Sequence, residues 1–143
     1  GRPPRYGARR GLCYPLTDFS WNDKEQRMSI ERHQAGPRMS QAVVHGNIVY
    51  LAGQVADDPS ADVAGQTRQI LAKIDALLAA AGTDKTKLLT TNIWLSDIGT
   101  FAEMNSAWDA WVSPGNTPAR ATVEAKLAAP VYRVEIMVTA ARD

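Results

Sequence analysis

Arg120 and Glu135 are the two residues of this chain whose types and placing could do chemistry. Arg120 stands among alanines and valines in "NTPARATVEAKL", and Glu135 lies between Val134 and Ile136 in "VYRVEIMVTAARD". A planar guanidinium can grip a carboxylate through two parallel hydrogen bonds. A carboxylate beside such a ligand could polarise a water or accept a proton. A plainer reading stays open on alternation alone. Arg120, Thr122 and Glu124 share one face of a strand, and Arg133, Glu135, Met137 and Thr139 share one face of the next. Both rows could simply face solvent on a half-buried sheet.

Other familiar constellations are missing. The chain has no Gly-rich phosphate loop, no His/Cys metal spacing and no nucleophile elbow. His33 and His45 are its two histidines, too few and too isolated for a metal site. Cys13 is the single cysteine, which excludes an intrachain disulfide and fits a reducing, cytoplasmic setting. No apolar run approaches the roughly 20 residues that span a bilayer, so no membrane partner is expected.

The elements that must carry the pair are readable from periodicity. Met28 to His33 is expected to form a first strand. "AVVHGNIVYLAGQV" reads as a hairpin, with a strand from Ala42 to Val44, a turn at His45-Gly46-Asn47 and a strand from Ile48 to Val55. Val63, Ile70, Leu71, Ile74, Leu77, Leu78 and Ala81 keep helical spacing, with Ser60 or Asp62 as N-cap and Gly82 as terminator. "LLTTNIWLS" reads as a strand with Leu89, Thr91, Ile93 and Leu95 on one face. Thr100 to Glu103 spells a capping box, after which Phe101, Met104, Trp108 and Trp111 fall on one stripe ending near Val112. Pro118 to Lys126 and Val131 to Ala140 form the last two strands, joined by a turn at Pro130. The order β-β-β-α-β-α-β-β predicts an α+β fold, a six-stranded mixed sheet with both helices on one face. Two helices leave the other face for solvent or for further subunits.

Residues 1–27 stand apart. They carry six Lys/Arg against three acids, whereas the rest carries ten against twelve. They show no sustained period, and "MSIERHQAGP" at Met28 looks like a natural start. We therefore expect a tag or upstream-translated extension over 1–27 and the folded domain over 28–143. A basic nucleic-acid-binding arm is the alternative. The mildly acidic remainder offers phosphate backbones no electrostatic footprint, so no nucleic-acid partner is expected there.

Taken together, "YLAGQVADD", "LLAAAGTDKTKLL", "NIWLSDIGTFAEMNSAWDAW" and "TPARATVEAKLAAPVYRVEIMVTAA" resemble the RidA family, also called YjgF/YER057c/UK114. The likeness runs from about Met28 to the C-terminus. "RMSQAVVHGN" and "WDAWV" make it closest to a divergent, YoaB-like branch. The resemblance implies a chorismate-mutase-like α+β fold and a homotrimer with small-molecule clefts between subunits. It also implies an enamine/imine deaminase, a hydrolase acting on C=N bonds that converts reactive 2-imino acids from pyridoxal-phosphate enzymes into 2-keto acids and ammonia. No metal or organic cofactor is implied.

The family's substrate-binding arginine matches Arg120, and its water-activating glutamate matches Glu135. Its helix asparagine matches Asn105, and its Gly-Gln pair matches Gly53 and Gln54. The chain departs from the pattern at three places. Thr122 replaces a cysteine, Ala52 replaces a serine, and Arg38 stands near the place of a tyrosine after Gly-Pro. These changes reshape how the imine nitrogen and water are held, and Arg38 in the cleft would favour a more acidic ligand. Two other functions belong beside the deaminase: a metabolite-binding or regulatory trimer without catalysis, and a ribonuclease or translation inhibitor. The last is disfavoured by the lack of a His pair and a basic cleft.

Overall fold

The computed structural model describes residues 29–143. Six strands form one mixed sheet in the order β1-β2-β3-β6-β4-β5. They are β1 (Ile30–His33), β2 (Ala42–His45), β3 (Ile48–Leu51), β4 (Leu88–Leu95), β5 (Ala119–Glu124) and β6 (Val134–Ala141). Only β4 and β5 run parallel; every other neighbouring pair is antiparallel. The helices are α1 (Val63–Ala80) and α2 (Phe101–Trp111). The α+β order read from periodicity is the order observed. Met28, Cys13 and the proposed extension lie outside the described residues.

Each element begins and ends for a local reason. β2 and β3 meet at Gly46-Asn47, where Gly46 takes φ 63°, a twist that glycine adopts without steric cost. α1 is N-capped by Asp62, whose carboxylate accepts from Gly65 N, and not by Ser60. It ends at Gly82, φ 85°, with Gly82 N donating to Ala79 O and Thr83 N to Leu78 O. That is the paired closure of a Schellman motif.

Alternation builds the core. Val134, Ile136, Val138 and Ala140 of β6 are buried with Thr91, Ile93 and Leu95 of β4. They pack beneath Ile70, Leu71, Ile74 and Leu78 of α1 and Met104 and Trp108 of α2. Each such aliphatic side chain contributes about 1.5–3 kcal/mol by leaving water. Buried Gln66 of α1 ties this layer to the entry of β6. Its Nε2 donates to Pro59 O, Ala61 O and Val131 O, and its Oε1 accepts from Arg133 N. Those bonds pin the register that places Glu135.

Four local expectations fail. Leu89 does not share the inward face of β4, because the β4–β6 register shifts between Leu88 and Thr90. The extra residue of this bulge turns Leu89 outward, 41% exposed, and Leu88 is buried instead. β3 stops at Leu51, and only Gln54 rejoins the sheet, as an isolated bridge to Ile136. No capping box forms at Thr100, whose hydroxyl donates to Asp97 O in a preceding 3-10 turn. Glu103 accepts from Ala64 N of α1 instead, where a carboxylate favours the positive end of the helix dipole. Phe101 leaves the buried stripe and is 41% exposed.

Candidate functional site

Register assigns the predicted site residues on strands to one of the two faces of the sheet. Cα partners on adjacent strands point to the same side. Thr91, facing the helices, is the partner of Arg120. Arg120 therefore rises on the helix side, at the edge strand β5. Glu135 is the partner of Trp94, between the inward Val134 and Ile136. It therefore leaves the sheet on the uncovered side. Within one chain the guanidinium and the carboxylate stand on opposite faces.

The Arg120 side is a built clamp. Arg120 Nη1 donates to Asn105 Oδ1 at 2.8 Å, so the two residues predicted from separate elements do meet. Its Cζ lies 5.3 Å from the Trp108 ring centroid and 5.9 Å from that of Phe101. Both distances are within the range of cation–π attraction. Thr122 stands two residues on, facing the same way, and its hydroxyl is buried without a hydrogen-bond partner. The Thr91 hydroxyl beside Arg120 is likewise buried and unpartnered. Buried unpaired hydroxyls are uncommon in folded proteins.

The Glu135 side is different. Its carboxylate fills the space above Gly53. A Cβ built on Gly53 would meet Glu135 Cδ at 3.1 Å and overlap Oε2. Glycine leaves that space to the carboxylate by close approach and not by backbone conformation, since Gly53 has no positive φ. Glu135 forms no ion pair with Arg120 or Arg133. Gln54 follows Gly53, but its side chain turns to the helix side, 3% exposed, donating from Nε2 to Gln41 Oε1 and Ala52 O. The Gly-Gln pair thus presents its glycine to Glu135 and its amide to the interior. Arg38 lies in the loop between β1 and β2, which re-enters the sheet at Gln41, whose carbonyl accepts from Ala52 N. That loop stands by Gly53, toward the opposite edge of the sheet from β5.

The structure therefore gathers Arg120, Asn105 and Thr122 into one half-site and Gly53 with Glu135 into another. Phe101, Trp108 and Thr91 join the first half-site without having been singled out for it. Their signal lay in the spacing. Phe101, Asn105 and Trp108 recur at helical intervals, and Thr91 is a polar residue on an apolar face.

Comparison with known proteins places this chain in a family. The model of the endoribonuclease L-PSP family matches residues 30–142. The RutC family protein YoaB of Escherichia coli is 46% identical over 114 residues, covering 80% of this chain and 99% of that protein. A solved YjgF family member from Neisseria meningitidis superposes with a TM-score of 0.80 at 46% identity, covering 82% of this chain and 98% of that one. A rat 2-iminobutanoate/2-iminopropanoate deaminase is 34% identical over 103 residues, covering 68% of this chain and 74% of that protein. With the whole described domain matched in both sequence and fold, this chain belongs to the RidA (YjgF) family, in its YoaB-like branch.

Proposed function

We propose that this chain is a Rid-type enamine/imine deaminase that hydrolyses small 2-imino acids to 2-keto acids and ammonia in a reducing cytoplasm. The observation that carries the reading is the Arg120 fork, held by Asn105 and flanked by two rings, with donors left for a carboxylate. The deaminase name of the rat relative supports the same chemistry.

The chemistry asks little of the protein beyond position. An imine carbon next to a carboxylate is already electrophilic, so fixing the carboxylate on Arg120 aligns that carbon for water. Water adds to C=N, one proton passes to nitrogen, and the carbinolamine then loses ammonia as the C=O bond forms. Glu135 is the group to take and return those protons. Because it leaves the opposite face from Arg120, the Glu135 that serves a given Arg120 comes from a neighbouring copy. A homotrimer with clefts between subunits supplies that pairing, and such a heterologous contact closes into a ring.

Generating 2-iminopropanoate and 2-iminobutanoate in situ tests the proposal. Wild type is expected to speed ammonia release, and Arg120→Ala to lose the effect. Equal release with and without protein sinks deamination of these substrates. One observation favours a second reading, a metabolite-binding trimer without catalysis. Thr122 and Ala52 stand where the family carries cysteine and serine, so the carboxylate grip is kept while the surroundings of the imine change. Carboxylate binding without turnover would identify it. Ribonuclease activity, which the family description names, finds no basic footprint in ten Lys/Arg against twelve acids from residue 28 onward.

A further inference from the structure

We infer that Phe101 and Trp108 are positioning residues that hold the Arg120 guanidinium in its gripping orientation before a ligand arrives. The inference rests on the assignment of Arg120 as the carboxylate grip. Positions 101, 105 and 108 form one stripe of α2, and all three side chains lie at the same guanidinium, Asn105 by a hydrogen bond and the two rings within cation–π range. Asn105 fixes one N–H, and the guanidinium carbon lies over both rings. Phe101 has no place in the buried apolar cluster, so its packing is not what the core requires. Phe101 is 41% exposed in the chain, and its ring lies beside the Arg120 guanidinium.

The clamp is anchored to the scaffold. Trp108 lies 5.4 Å from Trp111, centroid to centroid. Trp111 Nε1 donates to Asp75 Oδ2 of α1 at 2.9 Å, and Lys85 Nζ donates to Trp111 O at 2.6 Å. Arg120 is thus referenced to α1 through two indoles tilted 53° to each other. A free surface arginine loses several rotamers on binding, and a pre-held fork avoids most of that loss.

The test compares Phe101→Leu with Phe101→Tyr in the full chain. KM and kcat for 2-iminobutanoate, calorimetric Kd for 2-oxobutanoate, and the Arg120 Nε–Hε NMR resonance are read together. Leu keeps bulk but removes the ring face, so KM and Kd should rise about three- to tenfold, with kcat the lesser change. The Nε–Hε resonance should lose its ring-current shift, and Tyr should restore all three. Trp108→Phe, which keeps a ring, should fall between the two. Unchanged Kd and an unmoved resonance in Phe101→Leu would overturn the clamp. A wild type that binds 2-oxobutanoate but never releases ammonia defeats the deaminase reading alone. If wild type binds neither, the resonance still decides whether the rings hold the fork.

Discussion

The carboxylate of Glu135 occupies the space in which a side chain on Gly53 would begin. The two residues are 82 positions apart in sequence, yet a side chain added at one would displace the other. Gly53→Ala should therefore push the flexible Glu135 side chain off its position at a cost of about 0.5–1.5 kcal/mol, that of an off-rotamer side chain. Trimming the carboxylate in Gly53→Ala/Glu135→Ala should recover much of that cost. Urea unfolding of the four proteins at one fixed protein concentration gives the coupling, expected to exceed about 0.5 kcal/mol. Additive costs would show that the overlap relaxes freely.

Asn105 acts on Arg120 through one hydrogen bond, and its removal should weaken substrate binding. Asn105→Ala is expected to raise KM by about five- to thirtyfold, the equivalent of about 1–2 kcal/mol. Asn105→Asp should be worse, because its carboxylate would compete with the ligand's for the same guanidinium. Steady-state kinetics of the two variants rank them directly. An aspartate variant as active as wild type would remove the carboxylate grip from the mechanism.

Opposite faces for Arg120 and Glu135 lead to a complementation test. Arg120→Ala and Glu135→Ala should each be inactive, yet regain activity when refolded or co-expressed together. Random mixing restores about one quarter of the sites if one copy gives the arginine and its neighbour the glutamate. No recovery from a verified mixed assembly would mean that the two residues do not share a site across copies.

Thr91 is 1% exposed and its hydroxyl has no partner. Thr91→Val removes an unsatisfied polar group at nearly constant shape. We expect it to stabilise the ligand-free protein by about 1 kcal/mol, measured by urea denaturation. If a bound water or ligand completes the hydroxyl instead, the same substitution should destabilise.

Asp84 supplies a pH signature. Its side chain accepts from the hydroxyl and the backbone N–H of Thr86, which, with nearby Lys87, hold its pKa below the ordinary 3.8. A folded-state value below the unfolded one favours folding above the unfolded pKa, and that contribution fades as pH falls through the folded value. A carbon-detected NMR titration should place the Asp84 midpoint below 3.8, and Thr86→Ala should move it upward. A midpoint unmoved by Thr86→Ala would assign the shift elsewhere.

The sequence by itself determined the order of elements, the helix end at Gly82, a choice of Ser60 or Asp62 for the N-cap, and the residues worth asking about. Those features are local: period, turn chemistry and capping act over a few neighbouring residues, so they survive without knowledge of partners. Tertiary structure decided which face each functional side chain takes. Arg120 and Glu135 both looked like polar members of alternating strands, but alternation says only that neighbours diverge and not which side the helices cover. The side was settled by pairing Thr91 with Arg120 and Trp94 with Glu135 across β4. The bulge at Leu89, invisible to a strict period of two, reversed one residue in the same strand. Phe101 carried helical spacing yet left the core, and its ring lies 5.9 Å from the guanidinium of Arg120, 19 residues further along the chain.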